Sequence, residues 1–182
     1  MTKLQYQCAM SLDGFIAGRN GDMSWMGLAG GSDDGGDSAD DSTNPLVAEV
    51  GAVLSGSNTY HGDDPNAGTD KEGGYDGQYE GHTFVLTHHI PEKSEPGVTF
   101  VDDLEKAIAL AKEAAGDKLV SVLGADVARQ CIAIGALDEI LVYVTPILLG
   151  DGVRLFHNPG GEPVRLEIVK ADELSILSRV VY

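Results

Sequence analysis

Three places where an apolar run meets a turn carry the residues that could do chemistry. Leu119 to Leu123 is a β-branched, strand-length run that stops at Gly124, where a helical pattern opens and continues from Ala125 to Ile134. A strand, a glycine turn and a helix start leave backbone N–H groups without intrahelical partners, and the helix dipole favours an anion there by roughly 0.3–1 kcal/mol. Such a turn, here Gly124-Ala125-Asp126-Val127, is either a small anion site or the ordinary strand-to-helix connection of an α/β protein. A second transition of this kind follows the strand Ala52 to Leu54, at Gly56-Ser57-Asn58-Thr59-Tyr60. A third strand, Thr83 to Thr87, ends with His88 and His89 just beyond it.

These turns need a sheet to bring them together. Leu4 to Met10 reads as the first strand, and Ser11-Leu12-Asp13-Gly14 turns it into Phe15-Ile16-Ala17-Gly18. Arg19 to Thr43 reads as loop, with Trp25 and an acidic glycine-rich run from Gly30 to Asp41. The acids of that run, at 33, 34, 37, 40 and 41, do not match the alternating ligand spacing of a calcium loop, and no metal site is expected. Ser42-Thr43-Asn44-Pro45 supplies cap residues and a first-turn proline for a short helix that gives way near Gly51. After the second acidic loop, Gly62 to Gly81, the pattern gives a strand at Val98 to Val101, a helix from Leu104 to Ala115 and a closing antiparallel hairpin at Val164 to Val169 and Leu174 to Val181. The order predicts an α/β three-layer sandwich, with a mixed, mostly parallel central sheet and helices on both faces. Ligands of such a sheet bind at the carboxyl ends of its parallel strands, where Gly56, Thr87 and Gly124 converge.

Composition narrows the class of ligand. The chain has 182 residues, read as one domain over 1–182, and 29 Asp and Glu against 12 Lys and Arg give a net charge of −17. A field of that sign repels nucleic acid and anionic membrane surfaces, so the expected partner is a small molecule held by local donors. No apolar stretch reaches the roughly 18 residues of a membrane span, and the N-terminus has no basic-then-apolar leader; a soluble cytoplasmic protein is expected. Cys8 and Cys131 make neither a disulfide framework nor a metal site.

Four motifs together resemble the dihydrofolate reductase-like superfamily, in the branch of the RibD C-terminal reductase domain of riboflavin biosynthesis. They are Ser11-Leu12-Asp13-Gly14 with Ile16-Ala17, Val53 to Tyr60, Phe84-Val85-Leu86-Thr87, and the segment from Gly124 to Phe156 with Asp138-Glu139 and Pro146-Ile147-Leu148-Leu149-Gly150. The resemblance implies an NAD(P)H-dependent reductase, commonly a homodimer, that passes a hydride to a heterocycle or sugar imine, as does the 5-amino-6-(5-phosphoribosylamino)uracil reductase domain. It places Ala9, Ile16 and Ala17 beside the nicotinamide and Gly56, Ser57, Asn58 and Thr59 at the pyrophosphate or nicotinamide end. Thr87 and His88 fall near the adenosine and its 2′-phosphate, and Gly124 to Val127 take the pyrophosphate. Asp13, Trp25 and Tyr60 face the substrate side, with Asp13 the nearest acid or proton relay; as a residue type before Gly14 it is equally a turn former. Gly150-Asp151-Gly152 packs against the loop after Asp13.

The chain also departs from the family pattern. Ser57 stands where members that prefer NADPH carry arginine, and His88 is the residue that could meet a 2′-phosphate instead. Leu123-Gly124 replaces a glycine pair, and Val122 and Leu123 stand where the riboflavin enzymes have an acid. Gly56-x-x-Thr59-x-x-x-Asp63-Asp64-Pro65 resembles the substrate-side turn of those enzymes. A dihydrofolate or pteridine reductase, a nucleotide-binding module without turnover, and an interaction protein using the acidic loops are the alternatives.

Overall fold

The computed structural model describes residues 1–29, 45–64, 66–93 and 95–182. The acidic run Gly30 to Asp41, the cap residues Ser42-Thr43-Asn44 and Pro65 lie outside the described residues.

One eight-stranded sheet organises the molecule. In chain order its strands are β1 (Leu4–Ser11), β3 (Val50–Gly56), β4 (His82–Leu86), β5 (Val98–Val101), β6 (Leu119–Leu123), β7 (Glu139–Thr145), β9 (Arg165–Ala171) and β10 (Ser175–Val181). A separate two-stranded ribbon joins β2 (Phe15–Ala17) to β8 (Val153–Arg154). The spatial order β5-β4-β3-β6-β1-β7-β10-β9 is parallel from β5 to β7 and antiparallel over the last three strands. The mixed, mostly parallel sheet expected from the sequence is the one observed.

The period-two pattern of β1 shows how its two faces differ. Leu4 and Tyr6 are buried on one face, while Gln5 and Gln7, also buried, point to the other. The first face is sealed by α4 (Leu104–Ala115) and α5 (Ala125–Ala133). Ala107, Ile108, Ala111 and Ala115 of α4 and Val127, Ala128, Cys131 and Ile132 of α5 share one apolar core with Leu54, Phe84, Val120 and Val122. Each fully buried Leu or Val contributes about 1.5–3 kcal/mol there. Asp103 caps α4 by accepting from the Lys106 N–H at 2.7 Å, and Gly116 ends it with φ +60°.

The second face carries buried polar residues beside Val53 and Val85 and is covered by part of the loop between β3 and β4. The Tyr75 hydroxyl lies within hydrogen-bond distance of both Gln7 Oε1 and Ser121 Oγ, and the chain of bonds runs on through Gln5 to Glu139, which Lys3 pairs at 2.5 Å. Gln5, Gln7, Ser121 and Glu139 thereby each have a partner, as burial requires. Tyr75 and Asp76 hold left-handed backbone, φ +58° and +57°, and the Tyr75 bonds fix that costly conformation.

The sequence placed several boundaries differently. Gly51 lies inside β3 rather than ahead of it, because a Cβ there would sit 2.5 Å from the Ala115 carbonyl oxygen; the close approach of α4 to the strand requires glycine. The segment read as loop from Arg19 contains a 3₁₀ turn at Arg19–Gly21 and α1 (Met26–Ala29), while α2 (Pro45–Glu49) starts at the proline as expected. Strand β4 runs one residue earlier than read, so Thr87 lies just past its end. Cys8 is half-buried and Cys131 buried, both as free thiols.

Candidate functional site

Strands β3, β4, β5 and β6 end on the same edge of the sheet, and a groove of about 340 Å³ opens there. Its floor and walls come from four successive strand ends. β3 delivers Gly56, followed by α3 (Ser57–Tyr60) with Ser57, Asn58 and Thr59; β4 delivers Leu86, Thr87, His88 and His89; β5 delivers Asp102 and Leu104; and β6 delivers Gly124, followed by Asp126, Val127 and Gln130 of α5.

The turn at Gly124 is built for close approach. Its φ of +100° suits glycine alone, and a Cβ would lie 2.4 Å from Thr59 Oγ1. A Cβ on Gly56 would meet Val127 Cγ2 at 3.1 Å. The Thr59 and Val127 side chains thus pack directly against the glycine of the opposite turn, where a Cβ would have no room. No side chain caps α5, and its first helical bond is donated by the Ala128 N–H to the Gly124 carbonyl at 3.1 Å, leaving the N–H groups of residues 125 to 127 at an uncapped helix start. Asp126 sits in this first turn with its carboxylate folded back along the helix, accepting from Arg129 at 2.7 Å and Gln130 at 2.8 Å. The Arg129 bond is the main reason its pKa lies below the usual carboxylate value. Two of these features fit a phosphate-bearing ligand: N–H donors without partners among the described residues, and a carboxylate drawn aside by its own helix.

A second cavity of about 420 Å³ lies beyond Asp126, which borders both. It is lined by Ala125, Asp126, Arg129, Gly152, Val153, Arg154 and His157. The β2–β8 ribbon sets one wall, pairing Phe15 with Arg154, whose guanidinium carbon lies 4.8 Å from the Phe15 ring centroid.

Asp13 governs how that ribbon sits, and its role differs from the one expected. Its Oδ1 accepts from Ser11 Oγ at 2.6 Å and from the Leu149 N–H at 3.0 Å, and its Oδ2 from the Gly150 N–H at 2.7 Å. These bonds, the Ser11 hydroxyl first, hold the carboxyl down to about 2. A carboxylate with both oxygens engaged and so low a pKa is a poor proton donor near neutrality; Asp13 is a clamp between the first turn and the loop after β7. Leu12 N–H to Ile147 O at 2.8 Å, Leu155 N–H to Gly14 O at 2.9 Å and the Arg19–Asp151 pair complete the junction. A Cβ on Gly152 would lie 2.1 Å from the Ala17 carbonyl oxygen, so this packing requires glycine. The expected contact between Gly150-Asp151-Gly152 and the Asp13 loop is present.

The remaining expected residues divide. Gly56, Ser57, Asn58, Thr59, Thr87, His88, Gly124, Asp126 and Val127 line the groove, and Ala125 lines the second cavity. Ala9, on β1, and Ile16 and Ala17, on β2, line neither. Trp25 is buried, and its indole N–H has no hydrogen-bond partner among the described residues. Tyr60 is turned away from the Asp13 side: its hydroxyl donates to Glu95 Oε2, and its ring packs edge-on to Phe100 of β5, the outermost strand. In the acidic turn, Asp63 accepts from the Met23 N–H at 3.1 Å, and Asp64 accepts from the N–H groups of Asn66 and Gly73, so both serve loop structure. The sequence reading named His89 without giving it a role, and missed Asp102 and Gln130 in the groove and Arg129, Arg154 and His157 in the second cavity. Asp102 had a signal: it directly follows the strand Val98–Val101, as Gly124 follows β6.

Residues 2–176 match the family model of the RibD C-terminal domain. The uncharacterized protein YwjB of Bacillus subtilis (strain 168) is 28% identical over 164 residues, 82% of this chain and 79% of that protein. Among solved structures, a Shewanella sp. PV-4 protein assigned to riboflavin biosynthesis superposes with a TM-score of 0.67 at 22% identity, covering 98% of both chains. The Saccharomyces cerevisiae riboflavin biosynthesis reductase Rib7 superposes with a TM-score of 0.59 at 17% identity, covering 98% of this chain and 89% of the other. At those identities the likeness shows a shared fold.

Proposed function

This chain belongs to the RibD C-terminal domain family, and from that premise we propose that it is an NAD(P)H-dependent reductase acting on a small heterocyclic or sugar-imine substrate, of the kind handled by the 5-amino-6-(5-phosphoribosylamino)uracil reductases. The observation that carries the reading is the groove at four parallel strand ends, whose glycine turn and uncapped α5 start suit a pyrophosphate. A bound nicotinamide dinucleotide would supply the hydride. The chain's own residues would hold and orient: the turns at Gly56 and Gly124 would fix the pyrophosphate, and the β4 end would carry the adenosine. The Asp13 clamp would set the loops that close the substrate side and exclude water.

Titration with NADH and NADPH, following thermal midpoint and nicotinamide fluorescence, tests the reading. A midpoint that rises with ligand concentration is the expected result, since a ligand of the native state stabilises by RT ln(1 + [L]/Kd); acceptors follow, starting with the riboflavin intermediate. No shift at millimolar concentration of either would overturn it.

One observation favours a second reading, a nucleotide-binding module without turnover: the acid expected to deliver a proton, Asp13, is fully engaged as a clamp. Tight dinucleotide binding with no oxidation of the cofactor across acceptors would support it. We also take the working form to be a homodimer. Strand β9 is exposed along its whole length at the sheet edge and presents Leu166, Ile168 and Val169 to solvent, an apolar strip that a second copy would cover. Among the described residues no helix is long and apolar enough to cross a membrane.

A further inference from the structure

We infer that the groove selects a dinucleotide whose adenosine ribose carries a free 2′-hydroxyl, NADH over NADPH, and that Asp102 is the specificity-determining residue. The inference rests on the reductase reading and deepens it. On that reading, with the pyrophosphate at the turns of Gly56 and Gly124, the nicotinamide half would run toward β1 and the substrate loops, and the adenosine half would lie at the ends of β4 and β5, which line the groove. There the Thr87 N–H donates to the Val101 carbonyl at 2.9 Å, so the chain leaves β4 at His88 and β5 at Asp102 side by side, and both line the groove.

Asp102 and its neighbour Asp103 have different duties. Asp103 is engaged as the cap of α4, whereas Asp102 is exposed and makes no hydrogen bond or ion pair with the described residues. A free carboxylate just past a strand end, at the adenosine end of a dinucleotide groove, accepts from ribose hydroxyls and repels a phosphate on the 2′ position.

The charges around the groove agree. None of its lining residues is lysine or arginine, and the stretches outside the described residues contain neither. Its carboxylates are Asp102 and Asp126. The nearby cations, Arg129 and Arg154, line the second cavity beyond Asp126, on the pyrophosphate side rather than the adenosine side. A dianionic 2′-phosphate would find there only the His88 and His89 imidazoles beside the Asp102 carboxylate, with no arginine fork, in a chain of net charge −17.

Calorimetric titration with NADH and with NADPH at equal ionic strength, on the wild type and on Asp102→Asn, tests this by binding alone. The wild type should bind NADH at least about tenfold more tightly, a difference near 1.4 kcal/mol. In Asp102→Asn the ratio should fall several-fold toward unity, chiefly by gain for NADPH. Asp102 is exposed and outside the core, and an unchanged thermal midpoint of the unliganded variant verifies folding; Asp102→Ser should repeat the change. If NADPH binds as tightly as NADH or more so, the inference falls and the reductase reading stands. If NADH is favoured but both variants keep the wild-type ratio, Asp102 is not the selector and its assignment falls. If neither binds, both the inference and the reading fall.

Discussion

Two cavities meet at Asp126, and they are built in opposite ways. The groove takes its walls from four neighbouring strand ends, three of them followed closely by a helix start, and none of its lining residues is lysine or arginine. The second cavity takes Arg129 from α5, Arg154 from a strand only two residues long and His157 from the loop beyond, and it holds together because Asp13 clamps segments 136 and 137 positions apart. The difference teaches where each kind of constraint resides. Backbone geometry and the close packing of glycines make the groove, so it is set as soon as the sheet forms. The cationic cavity depends on a few long-range hydrogen bonds to one carboxylate, and a single change could alter it without disturbing the core.

Gly124→Val should break the comparison on the groove side with the largest effect. A branched side chain at φ +100°, its Cβ 2.4 Å from Thr59 Oγ1, strains the turn by about 1–3 kcal/mol and displaces the α5 amides. Dinucleotide affinity should fall by more than about thirtyfold, roughly 2 kcal/mol, in a calorimetric titration, with a lowered thermal midpoint.

Asp13→Ala should break it on the other side. Catalytic efficiency should drop about tenfold or more while the dissociation constant for the dinucleotide stays within about threefold, because the clamp sets loops and leaves the strand ends alone. Equal losses in both quantities would mean that the two cavities form one unit. The clamp also has a pH signature. Its folded pKa, about 2, lies below the ordinary value of 3.8. The stability it contributes is therefore fully present above the unfolded pKa and is lost as pH falls from about 4 toward 2. A thermal-midpoint profile against pH should show a shallower acid limb in Asp13→Ala than in the wild type.

Arg129→Ala should give the smallest effect. Its ion pair with Asp126 is partly exposed and worth only about 0.2–1 kcal/mol. Freeing the Asp126 carboxylate beside the uncapped amides should nonetheless weaken dinucleotide binding about three- to fivefold, and added salt should shrink the difference by screening.

The same contrast explains what could be read from the chain. The groove was legible because Gly56, Thr87 and Gly124 each follow an apolar run of strand length, and parallel strands must end on a common edge. Asp102 obeys the same rule, following the strand Val98–Val101, and was not singled out. Arg154 and His157 carried no signal, since their place depends on the β2–β8 pairing, which brings together residues more than a hundred positions apart. Asp13 shows a different limit. Its residue type left an acid and a turn former open; the Leu149 and Gly150 N–H groups that join the Ser11 hydroxyl in engaging both its oxygens come from far along the chain and carried no signal. Tyr75 lay in a loop without hydrophobic period, where nothing announces that one hydroxyl would tie the loop to Gln7 and Ser121 on the sheet.

The central claim is that the α5 start and the glycine turns beside it receive a pyrophosphate. The most direct measurement is an amide-resolved NMR titration with NADH. The account predicts that the backbone signals of Gly56, Gly124, Ala125, Asp126 and Val127 shift together and saturate at a common dissociation constant, while those of β9 and β10 stay in place. Saturable binding that leaves those five amides unmoved, or no binding at all, would contradict it.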